Sequence, residues 1–159
     1  MDYSYTPRDF FCVPHDVWRT YEDACKILPV SPAGSAVISR RCLEDLLLSL
    51  SHTQRSLAKQ IRSATKTDRP GGMAGTYTAY ADMIRCIGNL AAHPFMTSNG
   101  LRSFEVEYED AHWCLEMIGE LFDFFMKNLW PLRRAQWSYK ADCETAPSLT
   151  NRGAGRPPP

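Results

Sequence analysis

The sequence predicts an all-α protein: an up-and-down bundle of four to five helices followed by a disordered C-terminal tail. Apolar side chains recur at three- and four-residue intervals in successive stretches, the pattern of helices that bury one face. Proline or glycine turns separate those stretches, at Pro29, Pro70-Gly71-Gly72, Pro94 and Asn99-Gly100. With 159 residues, 44% hydrophobic and 11% aromatic, the chain can bury one proper core. The expected organisation is an N-terminal strap over 1–13, a helical domain over 14–140 and a tail over 141–159.

Residues 1–13 are aromatic-rich and turn-like, a strap packed on the body. The first helix is expected from Pro14, which suits a first-turn position, to Leu28, with Val17, Tyr21 and Ala24 as its stripe and Pro29 ending it. The second runs from Gly34 to Ser51. Its apolar arc of Ala36, Cys42, Leu43, Leu46, Leu47 and Leu50 is wide enough to place it at the centre of the core. Arg40–Glu44 and Arg41–Asp45 are spaced as i, i+4 ion pairs, although a central helix also allows an arginine to reach inward. A short basic helix follows over Gln54–Thr65, anchored by Leu57 and Ile61, and then a loop over Thr67–Gly72.

The fourth helix spans Ala74–His93, and Pro94 stops it. Pro94–Arg102 is a loop. Phe104, Val106 and Tyr108 alternate with glutamates, but the acids favour a helix N-terminus, so the fifth helix is placed from Glu105–Glu109 to Trp130. Ala111, Leu115, Ile118, Phe122, Phe125 and Leu129 form its main stripe. Trp113, Met117 and Phe124 form a second strip, which serves either a deeper core or a subunit contact. Pro131 breaks the pattern, and Leu132–Lys140 mixes bases with aromatics. Such interleaving suits either single-stranded nucleic acid, through Arg133 and Arg134, or an ordinary surface helix.

Lysine plus arginine equals aspartate plus glutamate at 18 each, so no strong overall field holds a polyanion. The charge is nonetheless segregated. Seven basic residues between His52 and Arg102 face only Asp68 and Asp82, whereas Glu105–Asp123 holds seven acids and no lysine or arginine. The N-terminus lacks the basic and apolar order of a signal peptide, and no stretch reaches the length of a membrane span, so a soluble cytoplasmic protein without membrane contact is expected. Six cysteines without a C-x-x-C pair are expected as reduced thiols. Cys12-x-x-His15 and His112-x-Cys114 are isolated half-sites, so neither a metal nor another cofactor is expected.

The fourth helix carries the chemistry. At 3.6 residues per turn, Arg85, Asn89 and His93 follow at i, i+4 and i+8 on one side. Ile84, Ile87 and Ala91 fall on another side with Tyr77 and Tyr80, and Gly88 and Ala92 form a smooth strip between.

Two stretches carry a resemblance. Ser39-Arg-Arg-Cys-Leu-Glu44 resembles the R-x-L-E element of the bacterial domain of unknown function 4145 (DUF4145). Ile84-Arg-Cys-Ile-Gly-Asn-Leu-Ala-Ala-His93 resembles its R-x-x-G-N-x-x-A-H element, and Leu57–Ile61 its L-x-x-x-I helix. The resemblance covers about residues 14–130. That family is similar in turn to the HEPN superfamily, helical bundles of which many dimerise and cut RNA in defence or RNA-processing systems. Their motif is an arginine, usually a polar residue, then a histidine. Carried over, Asn89 takes the polar position and His93 the histidine, while Gly88 stands where the arginine is expected. Arg85, one turn earlier, is the available substitute.

The resemblance therefore implies a homodimeric HEPN-like module acting on RNA or nucleotides in a bacterial defence or stress setting and, if it is an enzyme, a metal-independent endoribonuclease. His93 would be the general acid or base, Arg85 the charge stabiliser and Asn89 the group that orients imidazole or ribose. The alternative is a non-catalytic dimerisation or adaptor module in a larger assembly, with Gly88, Trp113, Met117 and Phe124 at its contact face. In that reading Arg85 pairs with Asp82, His93 answers the helix dipole and Gly88 lets helices approach.

Overall fold

The computed structural model describes residues 10, 13–66, 73, 75–93, 95–97, 100–102 and 105–145, with backbone alone over the strand residues and over 129–145. Five helices and one small hairpin are formed there: α1 (His15–Ile27), α2 (Pro32–Ser49), α3 (Leu57–Thr65), α4 (Gly75–Ala92), β1 (Phe95–Thr97), β2 (Gly100–Arg102) and α5 (Tyr108–Thr145). Among the described residues no helix is long and apolar enough to cross a membrane.

Local chemistry sets the helix ends. The Ser31 hydroxyl accepts from the Gly34 backbone N–H at 3.1 Å, and Pro32 opens α2 where its missing N–H leaves nothing unsatisfied. At the other end Ser51 takes a left-handed φ of 70°. Its N–H donates to the Leu48 carbonyl and that of His52 to the Leu47 carbonyl, both at 2.9 Å, which closes α2 in a Schellman motif. At the start of α5, the Asp110 carboxylate accepts from the Glu107 N–H at 3.2 Å, half of a capping box, and Glu109 and Asp110 sit in the first turn. The helix begins where the acids place it, and residues 105–107 form no strand.

The central position expected of α2 is observed: it packs on α1, α4, α5 and α3. Against α1 it runs antiparallel, because Ser35 Oγ donates to the Ala24 carbonyl at 2.8 Å and Cys42 Sγ reaches the Val17 carbonyl at 3.6 Å. Its direction against α4 follows from three contacts. His52, just after α2, bonds Ser63 of α3 at 3.1 Å, and Thr65 at the end of α3 bonds Thr78 near the start of α4 at 3.2 Å. Gly88, late in α4, lies against Ala36 and Arg40, early in α2. The end of α2 thus meets the start of α4, and the two run antiparallel.

Leu43, Leu46, Leu47, Ile84, Leu115, Ile118, Leu121 and Phe122 are fully buried at the centre. Each such side chain contributes roughly 1.5–3 kcal/mol relative to exposure. Phe10 of the strap segment sets its ring edge-on to Phe122 and Tyr21, with centroids at 5.2 and 5.9 Å.

Three details differ from expectation. Residues 95–102, expected as loop, pair as an antiparallel ribbon with Thr97 opposite Gly100 and Phe95 opposite Arg102, since only two residues join the strands. Pro131 does not end α5, which continues to Thr145. A proline removes one bond, here to the Lys127 carbonyl, and the following Leu132, Arg133, Arg134, Ala135 and Gln136 are all good helix formers that carry the ladder on. Residues 141–145, expected in the tail, therefore belong to α5, while 146–159 lie outside the described residues, as do 1–9, 11 and 12 of the strap.

Candidate functional site

The polar face of α4 forms as its spacing requires, with a shifted core seam. Ala81, Ile84 and Gly88 are the buried positions, while Tyr77, Tyr80, Ile87 and Ala91 are half-buried. The smooth strip at Gly88 is therefore part of the core contact, and the aromatic side of the helix is its flank.

Arg85, Asn89 and His93 share one side and none is buried. Their engagements differ. Arg85 Nε donates to Asp82 Oδ1 at 2.8 Å, and its Nη2 lies 3.3 Å from Cys86 Sγ. The Asp82 bond raises the guanidinium pKa above its ordinary value. The Asn89 side chain and the His93 imidazole make no hydrogen bond among the described residues. His93 is exposed immediately past the last residue of α4, and its backbone N–H still bonds the Asn89 carbonyl at 3.0 Å, which holds the residue in helical register.

Gly88 faces α2 of its own chain. A Cβ there would lie 2.5 Å from Arg40 Cβ, 2.9 Å from the Ala36 carbonyl oxygen and 3.1 Å from Arg40 Cδ. The close approach it permits is intramolecular, so Gly88 is not part of an outward contact face. Arg40 is correspondingly half-buried, with its stem laid on Gly88. Its expected pair with Glu44 does not form, because its stem lies on Gly88, whereas Arg41 Nε does bond Asp45 at 2.9 Å. Arg40 Nε is buried and has no hydrogen-bond partner among the described residues. The sequence did not single it out among the candidate residues. The only signal was its place on the most apolar helix.

Trp113 and Phe124, on the second strip of α5, meet the aromatic flank of α4. Phe124 lies over Tyr77 with centroids at 4.3 Å, and Trp113 is edge-on to Tyr80 at 6.1 Å. Met117 also packs half-buried against the core. The strip thus serves the subunit interior with part of its area, and keeps the rest exposed. Arg133 and Arg134 fall on the backbone of α5, with side chains outside the described residues.

Neither the curated proteins nor the solved structures include a significant match to the chain. Residues 22–142, from within α1 to near the end of α5, match the sequence model described as Domain of unknown function (DUF4145). That span includes Arg40, Gly88, Asn89 and His93 and covers well over half of the chain, which belongs to the DUF4145 family.

Proposed function

We propose that the chain is a HEPN-like module that acts on RNA or nucleotides, as a homodimer, in a bacterial defence or stress system. The observation that carries this reading is the exposed imidazole of His93, one turn beyond the half-buried Asn89, with neither side chain hydrogen-bonded among the described residues. Imidazole is the side chain best suited to taking up and giving a proton in RNA cleavage. Cleavage by a ribose 2′-hydroxyl requires one proton removed from the attacking oxygen and one delivered to the leaving oxygen. One histidine per chain serves one transfer, and a two-fold pair of chains supplies two.

A second reading, a non-catalytic adaptor in a larger assembly, is favoured by one observation: Arg85 is tied to Asp82 and so is not free to stabilise a transition state. The two readings separate on a mixed RNA pool incubated without divalent metal. The wild type should cut and His93→Ala should lose about 100-fold or more of the rate, the scale of a general acid or base. Equal cleavage by both, or none by either, leaves the adaptor, for which Trp113→Glu should then change the sedimentation mass.

A further inference from the structure

We propose that Arg40 of α2 and the Asn89–His93 end of α4 form one site for a phosphoryl oxyanion, in which Arg40 supplies the cation. The proposal deepens the RNA or nucleotide reading above and rests on it for the identity of the ligand.

The guanidiniums of Arg85 on α4 and Arg40 on α2 are in opposite states. Arg85 has a carboxylate at 2.8 Å and is neutralised locally. Arg40 has no ion pair among the described residues, and its Nε is out of solvent without an acceptor. A buried guanidinium N–H without an acceptor is unfavourable unless a partner meets it. A planar donor fork of this kind matches the oxygens of a phosphate.

Direction follows from the helix geometry. The Cα–Cβ bonds of a helix tilt toward its N-terminus. Because α2 runs antiparallel to α4, Arg40 leans toward the C-terminal end of α4, the end that carries Asn89 and His93 and lies away from Arg85. The opposite flank of α4 is closed by the aromatic contacts of Tyr77 and Tyr80 with α5. Asn89 adds a carboxamide donor and His93 an imidazole, neither hydrogen-bonded through its side chain among the described residues. One charged fork, one amide and one imidazole converge on the chemistry of a phosphate monoester or diester.

The test uses the full chain. The Nε–Hε resonance of Arg40, assigned through Arg40→Lys, is followed on titration with inorganic phosphate, with ADP and with a short single-stranded RNA. Arg40→Met retains an apolar stem over Gly88 and removes the charge; Arg41→Gln is the adjacent control. The Arg40 resonance should shift saturably with phosphate. Arg40→Met should weaken RNA or ADP binding about tenfold or more, as for a lost hydrogen bond to a charged group. For RNA the slope of log affinity against log salt should fall by about 0.7. Arg41→Gln should stay within about twofold of wild type. The ligand that responds identifies the source, polynucleotide or mononucleotide. If RNA and ADP fail to bind while phosphate shifts Arg40, the RNA or nucleotide reading falls and the anion site stands. If RNA binds Arg40→Met as tightly as wild type, or the Arg40 resonance does not move with phosphate, the site proposed here is overturned. Should Arg40→Met not fold, the resonance of the wild type decides alone.

Discussion

Replacing Gly88 by alanine isolates the closest approach of α2 and α4. Two effects oppose. Alanine is favoured over glycine in a helix interior by about 1 kcal/mol. Against this, the new methyl would sit 2.5 Å from Arg40 Cβ and 2.9 Å from the Ala36 carbonyl oxygen. Both are parts of α2 that rotamer changes cannot move, so relief requires the helices to separate. Overpacking of this sort costs roughly 1–3 kcal/mol, and contacts this short belong at the upper end. The net expectation is a destabilisation of about 1–2 kcal/mol, or roughly 2–8 °C in Tm for a chain of this size. Thermal unfolding followed by far-UV circular dichroism measures it. Arg40→Ala in the same chain should not rescue the loss, because Arg40 Cβ and the Ala36 carbonyl both remain. A Gly88→Ala protein as stable as wild type, or more so, would refute the close packing of α2 on α4 at this point.

Ser51→Gly should act in the other direction. Ser51 holds a φ of 70° at the end of α2, a region in which a side chain costs about 1 kcal/mol, and it is exposed, so chemical denaturation should show a gain of roughly 0.5–1 kcal/mol. The buried thiols predict alkaline behaviour. Burial lifts Cys25 and Cys114 from 9.0 to about 12, so their contribution to stability is fully present below pH 9 and is lost as the pH rises toward 12. Site-resolved alkylation of the native protein at pH 8 should accordingly modify exposed Cys86 and spare Cys25, Cys42 and Cys114.

The elements were legible because their signals are local. Periodicity located α1, α2 and α4 to within about two residues, and the acids before Ala111 located the start of α5. The ribbon at 95–102 escaped, since three-residue strands are too short to show alternation. The length of α5 escaped because a proline in a chain of good helix formers costs one bond without stopping the helix. At the candidate site, the shared side of Arg85, Asn89 and His93 was readable from spacing alone. The partner of Arg85 was a choice between water and Asp82 three residues away, which spacing permits but does not decide. For Arg40 the sequence offered only its place on a central helix, which allows an arginine to reach inward. Its role depends on what α2 meets across the bundle, a contact separated from it by 48 residues in sequence.

That contact also accounts for the glycine at position 88. The Cβ and Cδ of Arg40 occupy the volume that any side chain at 88 would need. A guanidinium can therefore reach this end of α4 from α2 or from position 88 itself, but the two stems cannot share the space. With glycine at 88, the helices close up and the arginine of α2 takes the place. Packing and charge are thus one arrangement. A substitution at 88 that parts the helices displaces the Arg40 stem as well, so loss of stability and loss of anion affinity should appear together in Gly88→Ala, whereas Arg40→Met should lower affinity and leave the approach of the helices intact.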